Sequence, residues 1–330
     1  MSGAPVDTLA SAQAPLPRFE VRLTPPDLAP WIEGNTGVSG FTSFAAATPG
    51  PHVALIALTH GNEIAGAIVL DRLLRAAVRP ARGRLTFGFA NLAAFARFDA
   101  SQPTASRFLD EDMNRLWDVT ILDGPRRSSE LGRAREMRRL IDSADVLLDL
   151  HSMLWPSDPL ILSGPTPKGR ALACAIGAPP LVVADSGHVS GPRLIDYGGF
   201  SRVDAPQVAN LVEAGQHWEP ATVDMALHSV AGLLRHVGSV TEHAALPLPP
   251  SRPPSRIAEV TVTVTAATSG FAFVQSFRGG DVVQRRNTLI GMDGDTEIRT
   301  PHDDCLLVMP SLRPSRGHTA VRLARFVPAV

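Results

Sequence analysis

Ala54-Leu-Ile-Ala-Leu58 is an unbroken apolar run that stops abruptly at Thr59-His60-Gly-Asn-Glu63. A run this short reads as a buried strand, and the helical spacing of Ile64 to Val78 reads as the helix that follows it. The same unit recurs down the chain. Arg84 to Ala90 is a second strand, and Arg126 to Ser143 has helical spacing with Leu131, Ala134, Met137 and Leu140-Ile141 on one face. Val146-Leu-Leu-Asp-Leu150 is a strand ending in His151-Ser152, and Val208-Ala-Asn-Leu-Val212 a strand ending in Glu213. Leu160-Ile-Leu162 and Leu181-Val-Val183 flank a helix near Gly169 to Ile176, and Ala221 to Val237 is amphipathic and helical. Strands alternating with helices predict an α/β fold with a doubly wound, mainly parallel sheet.

The ends of the chain have a different texture. Met1 to Pro17 is rich in small residues and prolines and predicts a loose arm. Phe19 to Leu23 is a candidate first strand, Thr24 to Gly37 a loop, and Gly40 to Ala45 alternates like a strand. Leu246-Pro-Leu-Pro-Pro-Ser-Arg-Pro-Pro254 predicts a stiff linker. Beyond it Ile257 to Thr265 alternates as a strand, and Gly279-Gly280, Asp293-Gly294 and Pro301 punctuate further short strands. The expected organisation is a catalytic domain over 1–245, a proline-rich linker over 246–256 and a small all-β domain over 257–330 that shapes the mouth of the site.

Composition excludes several function classes. The 330 residues are 44% hydrophobic and 19% charged with a formal net charge of −1, which argues against a nucleic-acid or anionic-membrane partner. Lys168 is the sole lysine, so catalytic lysine chemistry has one loop residue to draw on. Cys174 and Cys305 are far apart and in no cluster, which argues against a disulfide framework or a cysteine zinc site. No basic-then-apolar leader and no stretch of membrane-spanning length is evident, so a cytoplasmic protein is expected.

Three predicted strands thus end in polar residues suited to one site: His60 with Glu63, then His151, then Glu213. Open α/β sheets place their ligand sites at the carboxyl ends of strands. Two histidines and a carboxylate suit zinc and leave a fourth position for water. Amide hydrolysis also needs a base, and Glu213 is placed for that because it closes its own strand. Asp149 precedes His151 by two and shares its face. Each residue alone is more often structural: a strand-end histidine is usually hydrogen-bonded core, and a lone glutamate a cap or an ion-pair partner. Their joint position at strand ends is what gives them weight.

His60-Gly-Asn-Glu63, Asp112-Met-Asn114-Arg115, Asp149-Leu-His151-Ser152 and Val212-Glu213-Ala-Gly215, in that order, resemble the succinylglutamate desuccinylase and aspartoacylase family, itself similar to the zinc carboxypeptidases. The resemblance covers roughly Gly50 to Gly215 and extends to a C-terminal β-domain. It implies a zinc carboxypeptidase type of fold and one zinc per chain, on His60, Glu63 and His151, with Glu213 as general base. It further implies that Asn114 and Arg115 hold a substrate carboxylate, that Arg107 polarises the scissile carbonyl, and that Asp112 fixes the ring of His60. A guanidinium forks onto a carboxylate, and a carboxylate on the free nitrogen of a ligating histidine sets its tautomer, so the implied roles are physically coherent.

An extra arginine for a second substrate carboxylate has no fixed counterpart; Arg193 and Arg202 are the candidates. His188, His217, His228 and His236 match no motif and read as structural or surface residues. The expected activity is removal of an acyl group from an N-acyl amino acid or similar small acid. A carboxypeptidase acting on a peptide C-terminus and a non-catalytic small-molecule binding protein on the same fold are the alternatives. Neither the acyl group nor the amine is legible, and a homodimer is common among such enzymes.

Overall fold

The computed structural model describes residues 18–188, 190–241, 244, 246, 247 and 255–328. The expected N-terminal arm, and all of the proline linker beyond Pro247 except its close at Ser255-Arg256, lie outside the described residues. The first half of the chain contains β1 (Phe41–Ala45), β2 (His52–Ala57), α1 (Ile64–Arg75), β3 (Arg84–Phe89), α2 (Leu92–Phe95), α3 (Val119–Leu122), α4 (Ser129–Asp142) and β4 (Val146–Met153). β5 (Leu160–Leu162), α5 (Pro167–Ile176), β6 (Leu181–Ala184), β7 (Val208–Gln216) and α6 (Pro220–His236) follow. The rest is strand: β8 (Arg256–Thr265), β9 (Ala272–Phe273), β10 (Val282–Val283), β11 (Leu289–Asp293), β12 (Thr296–Arg299), β13 (Cys305–Val308) and β14 (Thr319–Val327). Among the described residues no helix is long and apolar enough to cross a membrane.

The main sheet has eleven strands in the order β1-β3-β2-β4-β7-β5-β6-β8-β14-β13-β10. β2, β3, β4 and β7 run parallel, as do β5, β6 and β8, whereas β5 lies antiparallel to β7. Every residue of β2 and β4 is buried, as expected for strands covered on both faces. Alternation divides them between two cores. Val53, Leu55 and Ala57 pack with Leu148 and Leu150 on the side of α1, α5 and α6. Ala54, Ile56 and Leu147 pack with Leu131, Ala134, Met137 and Ile141 of α4 on the other. This is the mixed α/β architecture that the strand–helix alternation predicts.

Two expectations are corrected. Phe19 to Leu23 forms no strand; Arg22 instead bonds through its backbone N–H to the carbonyl of Trp218. The C-terminal segment is all-β, but it is not separate from the central sheet, because β8 pairs in parallel with β6 from Leu181↔Arg256 to Ala184↔Glu259. The reason lies in β6, whose Leu181-Val-Val-Ala184 would otherwise present unpaired peptide groups on an apolar edge. β8 covers that edge and carries on to pair with β14. A second sheet of three strands, β12-β11-β9, packs Ile290, Phe273 and Ile298 against Leu307, Val321 and Leu323 of the main one.

Candidate metal centre and active site

The chain leaves β2 through Leu58, whose φ of 60° is left-handed and costly for a branched residue. Leu58 is fully buried, and its carbonyl accepts from Asn91, so the surroundings hold the turn in place. Gly61 is required next. A Cβ there would come within 2.5 Å of the backbone of Ala94 and Phe95. Glu63 stands at the N-cap of α1 without making a side-chain cap bond. Its carboxylate is used elsewhere: Oε1 lies 2.7 Å from His60 Nδ1, and Oε2 lies 3.0 Å from His151 Nδ1 and accepts from Ser152 N at 3.0 Å.

His151 is not past the end of its strand but inside β4, directly opposite Glu213 in β7. The two are register partners on parallel strands and face the same way. One ligand atom from each of His60, Glu63 and His151 lies within 4.8 Å of the other two. The second nitrogen of each ring meets another carboxylate: His60 Nε2 is 2.8 Å from Asp112 Oδ1, and His151 Nε2 is 2.8 Å from Asp149 Oδ2. Both rings are thereby turned so that Nδ1 faces inward, the orientation by which outer carboxylates hold metal-ligating histidines. Two nitrogens and one carboxylate are the donor set that a catalytic metal ion of the zinc type takes from a protein.

Charge sorts the two buried glutamates. Burial alone would raise Glu63, but the imidazoles of His60 and His151 hold its carboxyl well below the usual range. Glu213 goes the other way. Burial first, then the charge of Glu63, push it up to about 8, against the pull of His151 and Arg107. Its Oε2 is buried with no hydrogen-bond partner among the described residues. One carboxylate is thus kept ionised beside the histidines, and the other is kept close to neutral pH, which is how acid–base roles divide between paired carboxyls.

Glu213 therefore predicts a pH effect on the metal-free protein. Its carboxyl in the folded chain lies at about 8, above the ordinary 4.5. Its contribution to stability is present below that ordinary value and is lost as pH rises through about 8. Glu213→Gln cannot ionise, so its melting temperature relative to wild type, in excess chelator, should climb from about pH 5 to about pH 8. A flat difference across that range would contradict the assignment.

Around this centre lies a cavity of about 620 Å³. Arg107, Asn114 and Arg115 all line it. Arg107 lies on the acidic cluster, with Nη1 donating to Glu63 Oε1 at 3.1 Å and Nη2 at 3.5 Å from Asp112 Oδ2. Asn114 Oδ1 accepts from Leu194 N at 2.8 Å, and Arg115 Nη1 donates to the Asn114 carbonyl at 2.6 Å. Burial, joined by the guanidiniums of Arg107, Arg322 and Arg193 against Asp112, brings Arg115 down to about 10, so it remains a cation that is short of counter-charge.

Several residues emerge that sequence reasoning missed. Arg322 of β14 is nearly buried and reaches the cavity, with Nε 2.9 Å from Asp185. Arg193 also lines the cavity, but its guanidinium is engaged by Asp185 and Asp196. Arg202 pairs with Asp204 at the surface and is not among the cavity residues. His188 and His217 line the cavity, correcting their reading as structural or surface residues, whereas His228 and His236 lie on α6 as expected. Glu130 of α4 is fully buried and accepts from Asn91 Nδ2 and from the backbone N–H groups of Leu109, Asp110 and Glu111. It anchors the loop that presents Asp112. A glutamate in the first turn of a helix gives no sequence signal of that task.

The C-terminal strands supply none of the three converging ligands. Met309, Ser311, His318, Thr319 and Arg322 of the C-terminal segment line the cavity.

The catalytic-domain model of the succinylglutamate desuccinylase/aspartoacylase family matches residues 49–182. No curated protein matches the chain. Among solved structures, a succinylglutamate desuccinylase from Vibrio parahaemolyticus aligns with a TM-score of 0.66 at 17% identity, over 88% of this chain and 87% of that one. A succinylglutamate desuccinylase/aspartoacylase from Rhodobacter sphaeroides aligns with a TM-score of 0.62 at 20% identity, over 88% and 89%. A product-bound ectoine utilization protein from Ruegeria pomeroyi gives 0.60 at 18% identity, over 86% and 88%. These likenesses establish a shared fold. Residues 49–182, which hold His60, Glu63, Arg107, Asn114, Arg115 and His151, are thus the part of the chain that resembles the succinylglutamate desuccinylase/aspartoacylase family.

Proposed function

We propose that this protein is a zinc-dependent amidohydrolase that removes an acyl group from an N-acyl amino acid or a similar small acid. One observation carries the reading. Three inward-facing ligands and a partnerless buried carboxylate share a cavity with an under-neutralised arginine. A zinc ion on His60, Glu63 and His151 would supply Lewis acidity and a water activated near neutral pH. Glu213 would accept a proton from the attacking water and deliver it to the leaving nitrogen. Arg107 donates to the oxygen on which negative charge develops. Arg115 and Asn114 hold the carboxylate of the substrate, and Asp112 and Asp149 keep the two imidazoles in their ligating tautomer. The position of the site at the carboxyl ends of parallel strands is in keeping with a zinc carboxypeptidase type of fold. The C-terminal lining of the cavity favours a small-molecule substrate over a peptide.

Metal analysis of the purified protein, with a screen of N-acyl amino acids against peptides, tests this. Stoichiometric zinc and release of free amino acid are expected; hydrolysis of peptides alone would favour the carboxypeptidase. Arg115→Lys loses the bidentate fork, a loss of ~1.5–3 kcal/mol if a charge-assisted bond goes unmade. Its kcat/KM on the identified substrate should fall by about 10–100-fold. Unchanged kinetics would remove Arg115 from substrate binding.

A further inference from the structure

One wall of the cavity is not used by the reaction above. His217 follows β7 directly and is 1% exposed, with its backbone N–H donating to the Met153 carbonyl and its ring 5.1 Å from that of Trp218. Its Nδ1 lies 2.7 Å from Ser152 Oγ. Among the described residues this is the sole hydrogen bond of either side chain.

Hydrogen-bond accounting fixes the tautomer. A serine hydroxyl carries one proton and a neutral imidazole one. If Nδ1 held the ring proton, both the Ser152 hydroxyl proton and Nε2 would lack a partner among the described residues, against Nε2–H alone in the other tautomer. The hydroxyl therefore donates to Nδ1, and the ring proton sits on Nε2, which has no protein partner and belongs to a residue lining the cavity. Burial, opposed by Glu63 and joined by Arg107, takes the ring down to about 3, so it is neutral at physiological pH.

The setting of His217 differs from that of the arginines. Its main charged neighbours are Glu63, Arg107, His60 and His151, whereas Arg115, Arg322 and Arg193 crowd His188. Beside His217 stand Met153 and Leu154, tied to it and to Gln216 through their carbonyls. Trp218 Nε1 donates to the Asn62 carbonyl, and Asn62 adds a buried side-chain oxygen without a partner. The cavity thus has a cationic end at Arg115, Arg322 and Arg193 and, at His217, an end where Glu63 and Arg107 offset each other beside open polar atoms.

We infer that His217 is a specificity-determining residue whose Nε2–H donates to an uncharged acceptor on the acyl portion of the substrate. With the carboxylate at the arginine end and the reacting centre between, the group that reaches His217 is the acyl group. Naming it so rests on the deacylase reading; the donor itself does not. A neutral N–H beside apolar side chains favours a short, uncharged acyl group over one that ends in a second carboxylate, which would face no free cation at this wall.

Two measurements test this on the zinc-loaded protein. Two-bond proton–nitrogen spectra should show His217 neutral at pH 7 and protonated on Nε2, with that resonance moving when N-acetylglycine is added and not when glycine is. A proton on Nδ1, a charged ring, or no movement with N-acetylglycine overturns the inference. Kinetically, His217→Phe should keep its zinc, melt somewhat lower because Ser152 loses its acceptor, and raise KM for the best N-acyl amino acid by about 10-fold, with kcat little changed. His217→Gln, which keeps an N–H donor, should recover part of that loss. An unchanged KM, or a defect in zinc content alone, reduces His217 to packing. If wild type hydrolyses no N-acyl amino acid while the Nε2–H resonance still responds to N-acetylglycine, the deacylase reading fails and the donor stands.

Discussion

Replacing Glu213 with glutamine should leave a folded, zinc-loaded protein that binds substrate and turns it over at least ~100-fold more slowly. The expectation follows from where the strand register puts this side chain. Glu213 lies opposite His151 across β4 and β7, with Oε2 buried and without a partner among the described residues. Three other ligands already converge. A fourth side chain, a carboxylate that neither caps a helix nor pairs with a cation among the described residues, is free to act on the water. Glutamine nearly preserves its shape but cannot accept a proton. If Glu213 were only structural, the variant would be less stable and fully active. Zinc content, melting temperature and kcat measured on one preparation separate the two outcomes. Full activity would send the search for the base to Asp149 or Asp112, although each of those is already bonded to a histidine ring.

His60→Ala and His151→Ala should each lose the metal and, with it, activity down to background. Disturbing a partner behind a ligating residue already costs 10–100-fold in affinity or activity in comparable sites, and removing the ligand itself costs more. The two variants should differ in stability. Asp149 is fully buried, with one oxygen accepting from Thr59 and the other on His151. Truncating His151 strands that carboxylate, at a cost of about 3–5 kcal/mol. Asp112 is partly exposed and keeps Arg107 and Arg115 beside it when His60 is removed. Elemental analysis and thermal melting of both proteins check this; stoichiometric zinc in either would take that residue out of the site.

The parts of the fold that were legible are those where burial writes the pattern directly. β2, β4 and β7 are mostly apolar because both faces of each are covered, and His151 and Glu213 toward the ends of β4 and β7 mark where the core gives way to the cavity. The residues that converge on the centre could be named for the same reason. Pairing across long separations left no such mark. Nothing in Leu181-Val-Val-Ala184 states that its open edge is covered by a strand more than seventy residues later, so the proline-rich stretch between them read as a boundary. Glu130 and His217 were missed because their tasks exist in the fold alone. One holds a loop that is remote in sequence, and the other depends on a serine 65 residues away.

β8 joins the floor of the sheet to the C-terminal strands whose residues line the cavity. In many enzymes a module that selects substrate can be exchanged, shortened or re-evolved without touching the catalytic frame. Here that freedom is restricted. Any change that displaces β8 also strips the edge of β6, so the C-terminal segment cannot drift as an independent cassette. Substitutions at single cavity positions, such as Arg322 or Met309, alter the lining without disturbing that pairing.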